Sequence, residues 1–166
     1  MIDKFINEYS FLSLEYPFEY ELYNVKFKNL AQYYYGFKCN FIEPMRELVN
    51  SELLPEIYVS ALDPDFIRPD WLKVREAILN HGLYVKFSNP ELQNLLLNTN
   101  DNTLIYGFLT PNPSEDLLFL GRSLDTGDGD NTLGKILMQV RDYYKSLKIH
   151  SLINQTSEHN YGKSVK

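Results

Sequence analysis

The stretch FKNLAQYYYGFK, residues 27–38, carries three consecutive tyrosines and no acid, and it sits where the apolar pattern changes from alternation to helical spacing. Just upstream, FLSLEYPFEYELYNVKF places Phe18, Tyr20 and Leu22 on one alternation and Val25 and Phe27 on another, with Tyr23-Asn24 between them. Asn24 tolerates the positive φ of a tight turn, so this segment reads as a hairpin. Asn29 is placed to cap a helix from Leu30, along which Ala31, Tyr34, Tyr35, Phe37 and Phe41 recur at helical spacing until Pro44 ends or restarts it. Such a tyrosine-rich helix is either core or the wall of a site.

Further along, a short helix is expected over residues 45–50, then a loop through SELLPEIYVSALDPDFIRPD, punctuated by three prolines. Asp70 reads as the N-cap of WLKVREAILNHGLYVKF, whose Trp71, Val74, Ile78, Leu79 and Leu83 form a buried stripe with Gly82 as a weak point. SNPELQNLLLNT is a short capped helix with Pro90 in its first turn. NTLIYGFL and LLFLGRSL read as strands on either side of the loop TPNPSED. The turn TGDGDN then feeds a final helix with Leu133, Ile136, Leu137 and Val140 on one face and Lys135 and Arg141 off it. Periodicity fades after Leu147. The expectation is one domain over residues 1–147 and a loosely ordered tail over residues 148–166.

At 166 residues, with 44% hydrophobic and 14% aromatic content, the chain is long enough for one well-buried domain and too short for two ordinary ones. A net charge of -6 and a pI near 5.1 argue against general nucleic-acid or anionic-membrane binding, which needs clustered Lys and Arg. No apolar run approaches the ~20 residues of a membrane span. Cys39 is the single cysteine, and MIDKFINEYS lacks the pattern of a signal peptide, so a cytoplasmic location is expected.

The lone motifs carry little. GDNTLGKI, residues 129–136, has the G-x-x-x-x-G-K spacing of a phosphate loop, but Ile136 stands where Ser or Thr should hold magnesium. Asp128 and Asp130 also put like charge at the cradle. DTGDGD suggests a calcium loop, yet its twelfth position is Ile136 rather than a bidentate glutamate. No metal or cofactor is assigned. His81, His150 and His159 read as solvated or structural, and Cys39 as a small buried hydrophobe. Trp71 is either a helix-start anchor or a stacking platform for a base, the anchor being favoured for an aromatic on an apolar stripe.

Taken together, three blocks in order resemble the NADAR family of YbiA-like N-glycosidases. The first is Phe11-Leu12-Ser13 with Tyr16, Pro17, Glu21, Leu22, Val25, Tyr34 and Lys38. Trp71 and then Lys86-Phe87-Ser88 with Asn89-Pro90-Glu91-Leu92 make the second, and the Asn131-to-Arg141 run NTLGKILMQVR makes the third. The resemblance implies an α+β fold: a single compact helix-rich domain with a small N-terminal hairpin and a few short strands. It implies cleavage of N-glycosidic bonds of ribose phosphates, including a riboflavin-pathway intermediate and ADP-ribose attached to guanine. Such chemistry develops positive charge on C1 of a ribose and needs an acid or base for the leaving base and the water.

Against that pattern this chain departs at five polar positions. Leu14 replaces an Asn, Ala31 and Gln32 replace a Glu and a His, Tyr35 replaces a Gln, and Tyr106 replaces a Glu. Lys38 and Asp116 are the remaining catalytic candidates, with Trp71, Lys86, Arg122, Asn131 and Lys135 as ligand-binding candidates. Lys38 could act at the ribose as a neutral amine, or hold phosphate with Lys135. Three readings follow: a divergent N-glycosidase acting on an ADP-ribose-like or ribose-phosphate small molecule, a degenerate member that binds such a ligand without cleaving it, and a protein-interaction module on the same scaffold.

Overall fold

The computed structural model describes residues 1–161, with side chains through residue 153. β1 (Pro17–Leu22) pairs antiparallel with β2 (Val25–Asn29), Leu22 lying opposite Val25. Tyr23 and Asn24 between them both have positive φ, 53° and 58°, as the favoured two-residue hairpin turn requires. Asn24 suits that region, and Tyr23 takes it with its ring tilted against Phe37. Val25 and Phe27 turn inward and Lys26 and Lys28 outward.

The hairpin leads directly into α1 (Leu30–Gly36), which Asn29 caps by accepting the Gln32 amide at 2.9 Å. Every residue of α1 is buried. It stops at Gly36 because the chain tightens: the Lys38 amide reaches back to the Tyr35 carbonyl, and Cys39 then pairs in extended form with Ile67. α2 (Ile42–Asn50) begins earlier than expected, with Pro44 in its first turn, where a missing N–H is harmless. The expected loop holds α3 (Pro55–Ser60), started by Pro55 at its first position, and a 3-10 turn over Pro64–Phe66 capped by Asp63.

α4 (Trp71–Phe87) follows Asp70, whose carboxylate pairs with Arg68 instead of capping the helix. α5 (Pro90–Leu97) is capped by Asn89, which accepts from the amides of Glu91 and Leu92. The two expected strands shrink to β3 (Gly107–Phe108) and β4 (Arg122–Ser123), a parallel pair. The first half of LLFLGRSL is instead part of α6 (Glu115–Leu120), begun by Ser114, whose Oγ accepts the Leu117 amide at 3.1 Å. A short apolar run is equally compatible with a buried strand or a buried helix, and here the Ser-Glu-Asp cap signature decides for helix.

α7 (Thr132–Tyr161) buries Leu133, Ile136, Leu137 and Val140 as its stripe predicts. Arg141, expected off that face, is buried as well and donates to Thr99 Oγ1 and the Asn102 carbonyl. Residues 148–161, expected as a loosely ordered tail, continue the helix. No Gly or Pro interrupts the sequence between Leu147 and Gly162, so nothing local stops it. Residues 162–166 and the side chain of His159 lie outside the described set. No helix among the described residues is long and apolar enough to cross a membrane.

Packing of α1 against α4 depends on Gly82. A Cβ there would collide with Leu30 Cδ1 and come within 2.9 Å of Tyr33 Cε1, so the weak point of α4 is where the two helices meet. Four residues on, Lys86 has no exposed surface. Its Nζ donates to the Ser13 carbonyl at 2.7 Å and stands 5.4 Å from the centroid of the Tyr16 ring. Burial pulls its pKa down from 10.5 to about 7, the charge of Glu15 opposing that fall.

Gly82→Ala is expected to destabilise the fold by about 1–3 kcal/mol through overpacking, despite its better helix propensity; an unchanged or raised urea midpoint would show that α1 moves aside. For Lys86 the folded pKa lies below the unfolded one, so between about pH 7 and 10.5 the unfolded chain binds the extra proton and stability rises with pH. Relative to Lys86→Met, the unfolding free energy of the unaltered protein should climb across that window by a few kcal/mol, with a slope on the order of 1.4 kcal/mol for each step of one in pH. Parallel profiles for the two proteins would contradict a depressed lysine.

Candidate active site

Ser114 caps α6 so that Asp116 falls in its first turn and points inward, its side chain 8% exposed. Three side chains from distant parts of the chain converge on its carboxylate. Lys38, just past the end of α1, donates to Oδ2 at 2.6 Å. Trp71 Nε1, at the start of α4, donates to Oδ1 at 3.0 Å. Arg75 Nη1, one helical turn after Trp71, reaches the same oxygen at 3.4 Å. Lys38 Nζ also stands 5.8 Å from the Trp71 ring centroid.

The surroundings of this junction are dry and aromatic. Tyr34 packs edge-on against Trp71 with ring centroids 4.9 Å apart. The Tyr34 hydroxyl is buried near Asp116 without reaching hydrogen-bond geometry; burial first, then the Asp116 charge, pushes its pKa upward. The Arg75 guanidinium lies 4.0 Å from the Phe119 ring centroid, with a second contact to Glu115 and a buried Nε that has no partner among the described residues. Lys38 keeps 23% of its side chain exposed. Of its three N–H donors, one is committed to Asp116, and two remain for a ligand.

The three tyrosines of α1 diverge by about 100° each, as helix geometry dictates. Tyr33 faces the hairpin and His81, its hydroxyl 2.8 Å from Nδ1. Tyr34 faces Trp71, and Tyr35 is buried with its ring edge-on to that of Tyr34, centroids 5.2 Å apart. Burial, then the charges of Asp116 and Glu56 and, more weakly, of Tyr106 and Glu15, push the Tyr35 pKa upward. Tyr106 is raised by burial and then by Glu15 and Glu56. A cavity of about 420 Å³ is lined by Phe5, Ser13, Glu15, Tyr106 and Phe108 among others.

Of the residues expected in the site, Lys38, Trp71 and Asp116 come together. Trp71 is 5% exposed and covered by Tyr34, so it offers its N–H to Asp116 and no open face for stacking. Lys86 lies beneath Ser13 with no surface for a ligand. Asn131 is buried, its Oδ1 accepting from the Tyr106 amide and its Nδ2 donating to the Leu104 carbonyl. Gly134 stands beside it because a Cβ would strike the Leu104 carbonyl oxygen; the phosphate-loop-like spacing is thus a clamp on the chain. Lys135 and Arg122 are exposed, and neither side chain makes a hydrogen bond or ion pair among the described residues. Arg75 escapes a reading of the sequence, and its spacing four residues after Trp71 is the available signal for it.

At the departing positions, Leu14 and Ala31 are buried core. The Gln32 side chain accepts from the Lys28 amide and donates to the Val49 carbonyl, facing the hairpin and α2.

The NADAR domain family model matches residues 4–145. A curated relative, the chloroplastic riboflavin biosynthesis protein PYRR of Arabidopsis thaliana, is 35% identical over 82 residues, which is 49% of this chain and 12% of that protein. The chain therefore spans only a small part of that relative's length. The NMR structure of the E. coli protein YbiA has the same fold, with a TM-score of 0.67 and 22% identity over 90% of this chain and 89% of that one. The matched span takes in the Ser13–Glu15 turn, the whole Asp116 junction and the Asn131 clamp, and the chain belongs to the NADAR family.

Proposed function

We propose that this protein hydrolyses the N-glycosidic bond of a ribose-phosphate or ADP-ribose conjugate, with Lys38 and Asp116 at the reacting centre. The observation that carries this reading is the 2.6 Å contact between Lys38 Nζ and Asp116 Oδ2, on a carboxylate whose other oxygen takes Trp71 and Arg75. Breaking the C1–N bond leaves positive charge on C1 and an electron pair on the departing nitrogen. A fixed, buried carboxylate opposes the first. A partly exposed ammonium with two uncommitted donors can protonate the second, and Asp116 aims it. Arg75 and Trp71 orient the carboxylate and need not touch the substrate.

A second reading, binding without cleavage, is favoured by a different observation. Leu14 and Ala31 are buried and apolar, and Tyr35 and Tyr106 occupy positions where the family resemblance implies amide and acid. The two readings separate on one assay. Chromatography should detect free base released from an aminopyrimidine N-ribosyl 5-phosphate or from ADP-ribose linked to guanine. Lys38→Ala and Asp116→Asn should each lower the rate at least ~100-fold, the usual scale for removing an acid or a charge stabiliser. Calorimetric binding of ADP-ribose with no base release would favour the second reading; turnover indifferent to both substitutions would remove the junction from the chemistry.

A further inference from the structure

The cavity of about 420 Å³ at the Ser13–Glu15 turn shares no lining residue with the Asp116 junction. Its size is that of a small-molecule pocket. Most of its lining is apolar: the rings of Phe5 and Tyr106, centroids 5.7 Å apart and tilted by 33°, are joined by Phe108 and Leu124. Ile6 and Leu109 line it too, each more than half exposed, so the cavity opens to solvent between apolar side chains.

The walls are held in place by backbone contacts. The Ile2 amide donates to the Thr103 carbonyl and the Ile105 amide to the Ile2 carbonyl, both at 2.8 Å, which ties the segment carrying Phe5 to the one carrying Tyr106. The Tyr106 amide rests on Asn131 Oδ1, and the Tyr106 and Phe108 carbonyls accept from the amides of Arg122 and Leu124 at 2.9 Å. Gly107 has no room for a Cβ, which would strike the Asp3 carbonyl oxygen. The one carboxylate on the lining, Glu15, is fixed as well. The Lys86 ammonium grips the Ser13 carbonyl at 2.7 Å, and the Ala31 amide donates to the Leu14 carbonyl at 2.9 Å. The Ser13 hydroxyl donates to Glu15 Oε2 at 2.5 Å and accepts from the Glu15 amide at 3.0 Å. Glu15 Oε1 carries no hydrogen bond among the described residues, and Oε2 keeps a second lone pair. Walls and acceptor are thus set before a ligand arrives, which lowers the ordering cost of binding.

An ionised carboxylate only accepts hydrogen bonds, so it selects a ligand that brings N–H donors. Aromatic walls select a flat one, because a heterocycle stacks on them. Lys4 also lines the cavity, and one acid balanced by one base favours a neutral ligand. We propose that this cavity binds a guanine-type heterocycle, with Glu15 accepting from the ring N–H and the neighbouring exocyclic amino group and the ring lying among Phe5, Tyr106 and Phe108. Hypoxanthine has the ring N–H but lacks the amino group. Adenine sets its amino group beside a ring nitrogen whose lone pair would face the carboxylate. The inference goes beyond the glycosidase reading and does not need it, since it concerns binding at a cavity separate from Lys38 and Asp116.

The test uses the full chain with guanosine, inosine and adenosine as probes, read by calorimetry and by amide NMR shifts. Guanosine should bind at least ~10-fold tighter than either of the others, the worth of one hydrogen bond to a charged group, and should move the amide resonances of Ile6, Gly107 and Leu109. Glu15→Gln keeps the size of the side chain but offers one acceptor in place of two. It should weaken guanosine at least ~10-fold and bring it within about twofold of inosine. Ser13→Ala removes the hydroxyl that orients the carboxylate and should cost guanosine about threefold while its preference over inosine survives. Equal affinity for the three nucleosides overturns the inference, as does unaltered guanosine binding in Glu15→Gln. So do shifts gathered around Lys38 and Trp71 instead of the cavity, or no binding of guanosine up to ~1 mM.

Discussion

The carboxylate of Asp116 is the constraint on which the rest of the structure hangs. Burying an unpaired carboxylate would cost several kcal/mol, and its partners would fare no better alone. Lys38 and Arg75 bring two cations to it, and Trp71 brings a neutral donor. Lys38 follows α1 and both Trp71 and Arg75 lie on α4, so satisfying one carboxylate fixes the end of α1, the start of α4 and the start of α6 relative to one another. The aromatic shell around it, Tyr34 on Trp71 and Phe119 under Arg75, keeps water out and strengthens the same electrostatics that hold the helices together. Site and core are here one object, and any change at Asp116 acts on both.

A second theme is how a helix-rich fold with little sheet satisfies its irregular backbone. Buried carbonyls and amides need partners wherever they lie; two short strand pairs, two isolated bridges and scattered backbone bonds such as that from Arg68 to Lys38 supply many of them. Long polar side chains add others. Asn131 serves Leu104 and Tyr106, Arg141 serves Asn102, and Lys86 serves Ser13. The family-like run NTLGKILMQVR is in this light a device for holding residues 99–106 against α7. That segment in turn carries Tyr106 to the cleft.

These duties explain what can and cannot be read from the sequence. The hairpin, the Asn29 cap and the α7 stripe depend on neighbours within a few residues, and their periodicity announces them. Lys38, Trp71 and Asp116 share no spacing at all; only the resemblance to a family puts them in one place. Lys86, Asn131 and Arg141 mislead because lysine, asparagine and arginine are mostly solvated, and the carbonyls that bury them come from remote segments. Gly82 misleads for the same reason, its value lying in the approach of α1. α6 is hidden by an apolar run too short for its period to be told.

The hydrogen bond from Lys86 to the Ser13 carbonyl joins residues 73 apart, and that from Lys38 to Asp116 joins residues 78 apart. Contacts at such separations carry a loop-closure cost that is met only after the local helices and the hairpin have formed. The Lys38–Asp116 contact is therefore among the last to form. A folding intermediate with α1, α4 and the hairpin in place would already have most of the secondary structure, yet its lysine would stand without its carboxylate. Order of assembly thus ties completion of the junction to completion of the fold.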